Sequence, residues 1–208
     1  VRRFTSAEKA LFYFFTTLFL FSGIIMLLKV NSSFLVDVPI RGGSITEGVV
    51  GNPRFINPVL ALSEADRSLV SLIYSGLVRT NSDGETVNDL AESVNLSEDK
   101  LTYTAVIRPD ATFHDGTFLT ADDVVFTIQK ILDPGIKSPL FGDFAGVLVQ
   151  KVDERTVSFT LKKPYAPFIN NLAVGILPKH VWASVTNDEF SFSQWNVLPI
   201  GSGPYKVD

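Results

Sequence analysis

Two histidines, a pair of adjacent carboxylates and one glycine-rich run are the groups with which this chain would have to do chemistry, since it contains no Cys. His114-Asp115 has the composition of a general base with its orienting carboxylate. Adjacent residues in a strand-to-helix connection point apart, however, and Asp115-Gly116 is a turn dipeptide. His180 follows Pro178-Lys179 and has no sequence partner at metal-ligand spacing. Asp122-Asp123 falls in the first turn of an expected helix, where acids cap the backbone and complement the helix dipole. Gly201-Ser-Gly-Pro-Tyr205 lacks the Lys-Ser/Thr ending and the following helix of a phosphate loop. Without Cys, disulfides, thiolate zinc sites, Cys nucleophiles and lipidated cysteines are excluded. The residues predict no catalytic group, no metal ligand and no cofactor.

The elements that must carry these residues divide the chain in two. Of its 208 residues, 18 are Lys or Arg and the net charge is -4, so it has no basic excess for a phosphate backbone and nucleic acid is not an expected partner. Arg2, Arg3, Lys9 and Lys29 against Glu8 leave residues 1–29 at +3, and the remainder at -7. Ala10 to Leu28 is a run of 19 residues without a charge. As a helix it covers about 28 Å, close to the hydrocarbon thickness of a bilayer. A buried core helix, a cleaved signal peptide and a retained anchor compete for this segment. Apolar residues on every side argue against the first. The exit Met26-Leu27-Leu28-Lys29-Val30-Asn31 offers no small-x-small cleavage site, which argues against the second. The expectation is an anchor over 10–28, a cytoplasmic 1–9 by the positive-inside bias, a linker over 29–42 and an extracytoplasmic globular part over 43–208.

Within 43–208 the pattern predicts a β-prone run from Gly43 to Val50, turns at Asn52-Pro53 and Asn57-Pro58, and a helix from about Glu64 to Ser75 opened by a Ser63-to-Asp66 capping box. Val87 to Ala91 reads as a short helix or extended link. Leu101, Tyr103, Ala105 and Ile107 alternate with polar positions as one face of a strand. Thr120-Ala-Asp-Asp123 opens a second helix, with Val124, Val125, Ile128, Ile131 and Leu132 on one face, stopped by Asp133-Pro134-Gly135. Ala145 to Val152 and Thr156 to Lys162 read as paired strands with Val157, Phe159 and Leu161 inward. Short helices or turns follow at Pro164 to Leu172 and Ile176 to Trp182. Gly203 to Asp208 reads as part of a further strand, and a chain ending there as a piece of a longer one. Strands and helices without strict βαβ order give an α/β class with a mixed sheet.

Several ordered blocks resemble the extracellular solute-binding protein family 5, the peptide and nickel binding group of ABC importers. They are Gly43-Ser-Ile-Thr-Glu-Gly48, Asn57-Pro58, Ile73-Tyr-Ser-Gly-Leu-Val78, Asp89-Leu-Ala-Glu-Ser93, Leu101-Thr-Tyr-Thr104 with Arg108, and Phe113-His-Asp-Gly116. Thr120 to Phe126, Asp133-Pro134, Lys163-Pro-Tyr-Ala-Pro-Phe168, Ile176-Leu-Pro-Lys-His180 and Gly201-Ser-Gly-Pro-Tyr205 continue the series in order.

The resemblance implies a two-lobed, periplasmic-binding-protein-like type 2 fold of which this chain holds most of the first lobe, preceded by one transmembrane helix. It implies binding rather than catalysis. A peptide or other small solute is held between lobes and delivered to permease subunits with their ATPase. The cleft is expected to be bordered by Glu47, Gly48, Val49 and Val50, by Ser138, Leu140 and Phe141 in the Ile136-to-Phe141 loop, and by Ala173, Val174 and Gly175. Peptide-binding relatives often carry an aromatic directly after Ser-Pro, where this chain has Leu140 followed by Phe141. The alternatives are a membrane-anchored sensor or interaction ectodomain without transport, and an extracytoplasmic hydrolase.

Overall fold

The computed structural model describes residues 5–34, 46, 48 and 50–207. These fall into two units, Val1–Glu47 and Gly48–Asp208. In the first, Ser6–Phe34 forms α1. The Glu8 carboxylate accepts from the Thr5 N–H at 2.8 Å while the Thr5 hydroxyl accepts from the Glu8 N–H at 3.4 Å, a reciprocal cap. Thr16 and Thr17 donate to the carbonyls of Phe12 and Tyr13. Their hydroxyls are thereby satisfied inside the helix, without an outside partner. Ser6–Val30, with a mean hydropathy of 2.2, is long and apolar enough to cross a membrane. The expected span 10–28 lies inside α1, which continues through 29–34, the start of the segment read as linker; residues 35–42 lie outside the described residues.

The second unit begins with a chain that runs to α2 (Glu64–Ile73). Of the expected strand from Gly43 to Val50, only Thr46, Gly48 and Val50 are described, and none is in a strand. The Ser63 cap of α2 forms as its spacing predicts, with Ser63 Oγ accepting from Asp66 N and Asp66 returning to Ser63 N. α2 ends before the expected Ser75 because Tyr74 is already extended, at φ -117° and ψ 141°. β1 (Val78–Thr80) and β2 (Thr86–Asn88) form a hairpin around Asn81 and Gly84. There Asn81 Oδ1 accepts from Asp83 N, and Gly84 takes the positive φ of 82° that only glycine adopts without strain.

β3 (Ala91–Leu96), β4 (Thr102–Ile107), β5 (Leu148–Lys151) and β6 (Thr156–Thr160) form a sheet in the order β3-β4-β6-β5. Every described pairing is antiparallel, so the parallel component of the expected mixed sheet does not occur among the described residues. The segment read as a helix or link at Val87–Ala91 is the end of β2 and the start of β3.

On the buried face Tyr103 lies opposite Phe159 and Ala105 opposite Val157. α3 (Ala121–Leu132) packs over β5 and β6 with Val124, Ile128 and Ile131 inward. The short helices α4 (Phe141–Phe144) and α5 (Phe168–Asn171) bring Phe144 and Phe168 to this core. The Phe168 ring sits 5.3 Å from Tyr103 and 6.0 Å from both Phe144 and Phe159, centroid to centroid. α6 (Lys179–Trp182) and α7 (Asn187–Phe190) stack Trp182 on Phe190 at 4.6 Å, and a 3-10 turn follows at Gln194–Asn196.

Gly203 to Val207 is not a strand. The segment instead closes the C-terminal end of α2, where the Ile73 and Leu72 carbonyls accept from Gly203 N and Tyr205 N. A Cβ on Gly201 would stand 1.9 Å from the Ile73 carbonyl oxygen, and one on Gly203 2.6 Å from that of Leu72. Close backbone approach therefore requires the Gly-x-Gly spacing.

Candidate functional site

The residues with catalytic potential are held in structural roles. His114 and Asp115 point apart, as their adjacency predicts. Gly201 N donates to His114 Nδ1 at 3.2 Å, so that nitrogen is the acceptor, and Nε2 carries the proton donated to the Gly203 carbonyl at 2.9 Å. His114 thus clasps the segment docked on α2. Asp115 meets His180 instead, Oδ2 to Nε2 at 2.7 Å, a pairing that no sequence spacing announced. Burial pushes the Asp115 carboxyl up, but hydrogen bonds from Thr117 and His180 outweigh it and hold its pKa below the ordinary value.

The Asp122-Asp123 pair divides. Asp123 is buried, caps Thr120 through Oδ2 and accepts from the Lys179 backbone N–H through Oδ1 at 2.8 Å. Asp122 sits at the surface between Lys151 and Lys179, whose ammonium groups lower its pKa while it raises that of Lys151. Among the described residues no cluster of three or more His, Asp or Glu has the arrangement to hold a metal ion.

The expected cleft residues fall into two groups. Ser138 is buried and donates to the Val59 carbonyl at 2.6 Å, while its Oγ accepts from Leu140 N at 3.2 Å. Lys137 before it adopts φ 57° to make the turn. The Ser138-Leu140-Phe141 loop is thereby fastened to the segment from Asn57 to Leu62. From the other side Gly175 is buried against Tyr74 and Pro58, where an added Cβ would come within 2.6 and 3.2 Å of their Cβ atoms. Val174 is half-buried beside it. Two chain segments, the Ser138-to-Phe141 loop and Val174-Gly175, therefore meet Asn57–Leu62, and the apolar side chains left exposed along these segments, Leu62 at 64% and Phe141 at 44%, are termed the rim.

Gly48 and Val50 are not brought into this convergence. A Cβ on Gly48 would have no neighbour within 4 Å, and Val50 is 98% exposed. Glu47 and Val49 lie outside the described residues.

The segment Val59–Leu62 was missed in the sequence reading. Its signal was present, since the Asn57-Pro58 turn lies directly before the Ser63 cap and leaves only a short, doubly anchored loop between. Asp66 reinforces it: the carboxylate accepts from Arg54 N, Phe55 N and Ser63 N, and at 3.4 Å from Leu62 N. Tyr74, against Gly175, is buried with no hydrogen-bond partner for its hydroxyl among the described residues, and burial pushes its pKa up.

Comparison with known proteins agrees with this architecture. The oligopeptide-binding protein AppA of Bacillus subtilis is 33% identical over 172 residues, 81% of this chain and 32% of that protein. Its structure in complex with a nonapeptide superposes on 77% of this chain and 32% of its own, with a TM-score of 0.72 and 32% identity. NikZ of Campylobacter jejuni, solved in complex with Ni(L-His), is 36% identical with a TM-score of 0.68, covering 75% of this chain and 31% of that one. The glutathione-binding protein GsiB of Escherichia coli is 27% identical over 188 residues, 90% of this chain and 36% of that protein. The chain thus spans about a third of the length of the relatives it matches. Residues 85–208 match the family described as bacterial extracellular solute-binding proteins, family 5 middle. This match extends over more than half of the chain, which belongs to the extracellular solute-binding proteins of family 5.

Proposed function

We propose that this chain supplies most of the first lobe of the substrate-binding component of an ABC importer, which takes peptides of the oligopeptide or dipeptide class and delivers them to a membrane permease. α1 is its membrane anchor, with the N-terminus cytoplasmic. The observation that carries the reading is that Bacillus subtilis AppA, whose structure holds a nonapeptide, is similar to this chain in both sequence and backbone. The rim chemistry supports it. A bound peptide is recognised by backbone pairing and by roomy, partly apolar side pockets. Leu62 and Phe141 offer apolar surface, with Leu140 and Val174 half-buried against the core, on a frame fixed by a buried hydrogen bond from Ser138 to Val59. Gly48 and Val50, with Glu47 and Val49, complete the proposed contacts of the N-terminal segment. The similarity to NikZ gives a second reading, a nickel complex bound through its own organic ligand.

The test is a thermal-shift screen of the complete reading frame lacking residues 1–30, against nonapeptide pools, glutathione and Ni(L-His). A ligand that binds only the folded form, at 100 times its dissociation constant, adds about 2.7 kcal/mol of stability. A shift with the peptides is expected. A shift with Ni(L-His) alone replaces the peptide reading by the second, and no shift with any probe rejects both. A mature N-terminus downstream of residue 30 removes the anchor.

A further inference from the structure

Asn57 and Asn196 lie 139 positions apart in sequence, and both are buried. Asn57 Nδ2 donates to Asn196 Oδ1 at 2.9 Å, and Asn196 Nδ2 donates to the Phe190 carbonyl at 2.8 Å. On the other side Asn57 Oδ1 accepts from Val59 N at 2.9 Å. The Val59 carbonyl accepts from Ser138 Oγ, which in turn accepts from Leu140 N. Every donor in this series points the same way, from Leu140 toward Phe190. The amide orientations are therefore fixed by their partners: turning over Asn57 would set Nδ2 against the Val59 N–H and Oδ1 against Asn196 Oδ1. A backbone bond from Ile56 N to the Asn196 carbonyl at 2.9 Å holds the two segments together beside it.

We propose that Asn57 and Asn196 are positioning residues for the ligand rim, their amides forming a one-directional hydrogen-bond relay that fixes Val59 and, through Ser138, the Leu140-Phe141 side of the rim. The idea rests on the peptide-binding reading for its consequence, though not for its geometry. Neither Asn touches the rim surface. Each acts by leaving the loop a single set of acceptors, because a buried amide that loses its partner is left with an unsatisfied group.

The test uses Asn196→Asp and Asn57→Asp in the complete protein. Each keeps its shape but sets a carboxylate oxygen where an amide donor stood, against the Phe190 carbonyl or Asn196 Oδ1. Two measurements are read. Amide exchange at Val59 and Leu140 is compared with that at Ile107 and Leu119, whose N–H groups bond to Arg155 and Ala111 outside the relay. The expected result is exchange at Val59 and Leu140 faster by about tenfold relative to those controls, and a nonapeptide-pool affinity lower by about tenfold. Ser138→Ala, at the far end, should release Leu140 while sparing the Asn57–Asn196 bond, which keeps the relay testable if an Asn variant does not fold. Exchange raised equally at all four amides, or unchanged at Leu140, overturns the relay. Faster exchange at Leu140 with unchanged affinity removes its role in binding. A wild-type protein that ignores the peptide pool refutes the peptide reading instead, and the exchange comparison still decides the relay.

Discussion

Ser63-to-Asp66 and Thr120-to-Asp123 are the same capping motif at the starts of α2 and α3, yet their carboxylates fasten different things. Both are buried and both return one oxygen to the cap residue. The other oxygen of Asp66 accepts from Arg54 and Phe55, at most 12 positions away, which makes the motif a clasp around the loop leading to the rim. The other oxygen of Asp123 accepts from Lys179, 56 positions away, and ties α6 to α3. Thr127, one turn along α3, adds a second tie by donating to the Asp123 carbonyl and accepting from Leu177 N. A local sequence signal therefore fixes the cap, while the surrounding fold decides whether the second oxygen serves locally or at long range.

The largest expected effect separates the two carboxylates by the number of donors left bare. Asp66→Ala deprives four backbone N–H groups of their acceptor and should destabilise the unit by about 3 to 4 kcal/mol, against about 2 to 3 kcal/mol for Asp123→Ala, in urea unfolding. If Asp123→Ala proves the more damaging, the long-range tie outweighs the donor count. Acid sharpens the same contrast. Burial pushes the Asp66 carboxyl up, but hydrogen bonds from the Phe55 and Arg54 backbone and from Ser63 outweigh it and bring its pKa from 3.8 to about 2. A carboxylate depressed by folding contributes stability that is fully present above the unfolded value and is lost as pH falls through the folded one. Between pH 4 and pH 2 the wild type should therefore lose about 2 kcal/mol that the Asp66→Asn variant never had. Equal acid slopes for the two proteins would assign the loss to other groups.

What was legible in the sequence follows the range of the interaction. The caps at Ser63 and Thr120 span three residues, and β4 and β6 alternate with period two, so local patterns were sufficient for them. β3 was not legible, because Ala91-Glu-Ser-Val-Asn-Leu96 is half polar, without regular alternation and largely exposed or half-buried, and owes its strand conformation to pairing with β4. Gly203-Pro-Tyr-Lys-Val reads as a strand only through its Tyr and Val, and its backbone is recruited by the carbonyls at the end of α2, a competition invisible in the segment itself. The candidate site divides in the same way. The Ser138 loop and Val174-Gly175 were expected through resemblance, whereas the bonds from Asn57 to Asn196 and from Asp115 to His180 join residues 139 and 65 positions apart, a range at which no local pattern announces a pairing.

The smallest effect is expected one residue from one of the larger ones. Asp122 precedes Asp123 in the same first turn and has more charged partners, Lys151 and Lys179, yet it and both lysines are partly exposed. An exposed ion pair gains little, because water already solvates each charge, salt screens their attraction and two long side chains lose freedom on meeting. Asp122→Asn should accordingly leave the melting temperature within about 1 °C of wild type, while Asp123→Asn lowers it by about 5 °C or more. The difference should persist in 0.5 M salt, where a screened surface pair has no more to lose and a buried acceptor of a backbone N–H still does. If Asp122→Asn lowers the melting temperature as far as Asp123→Asn, and salt abolishes the loss, the surface network rather than the buried tie secures α6.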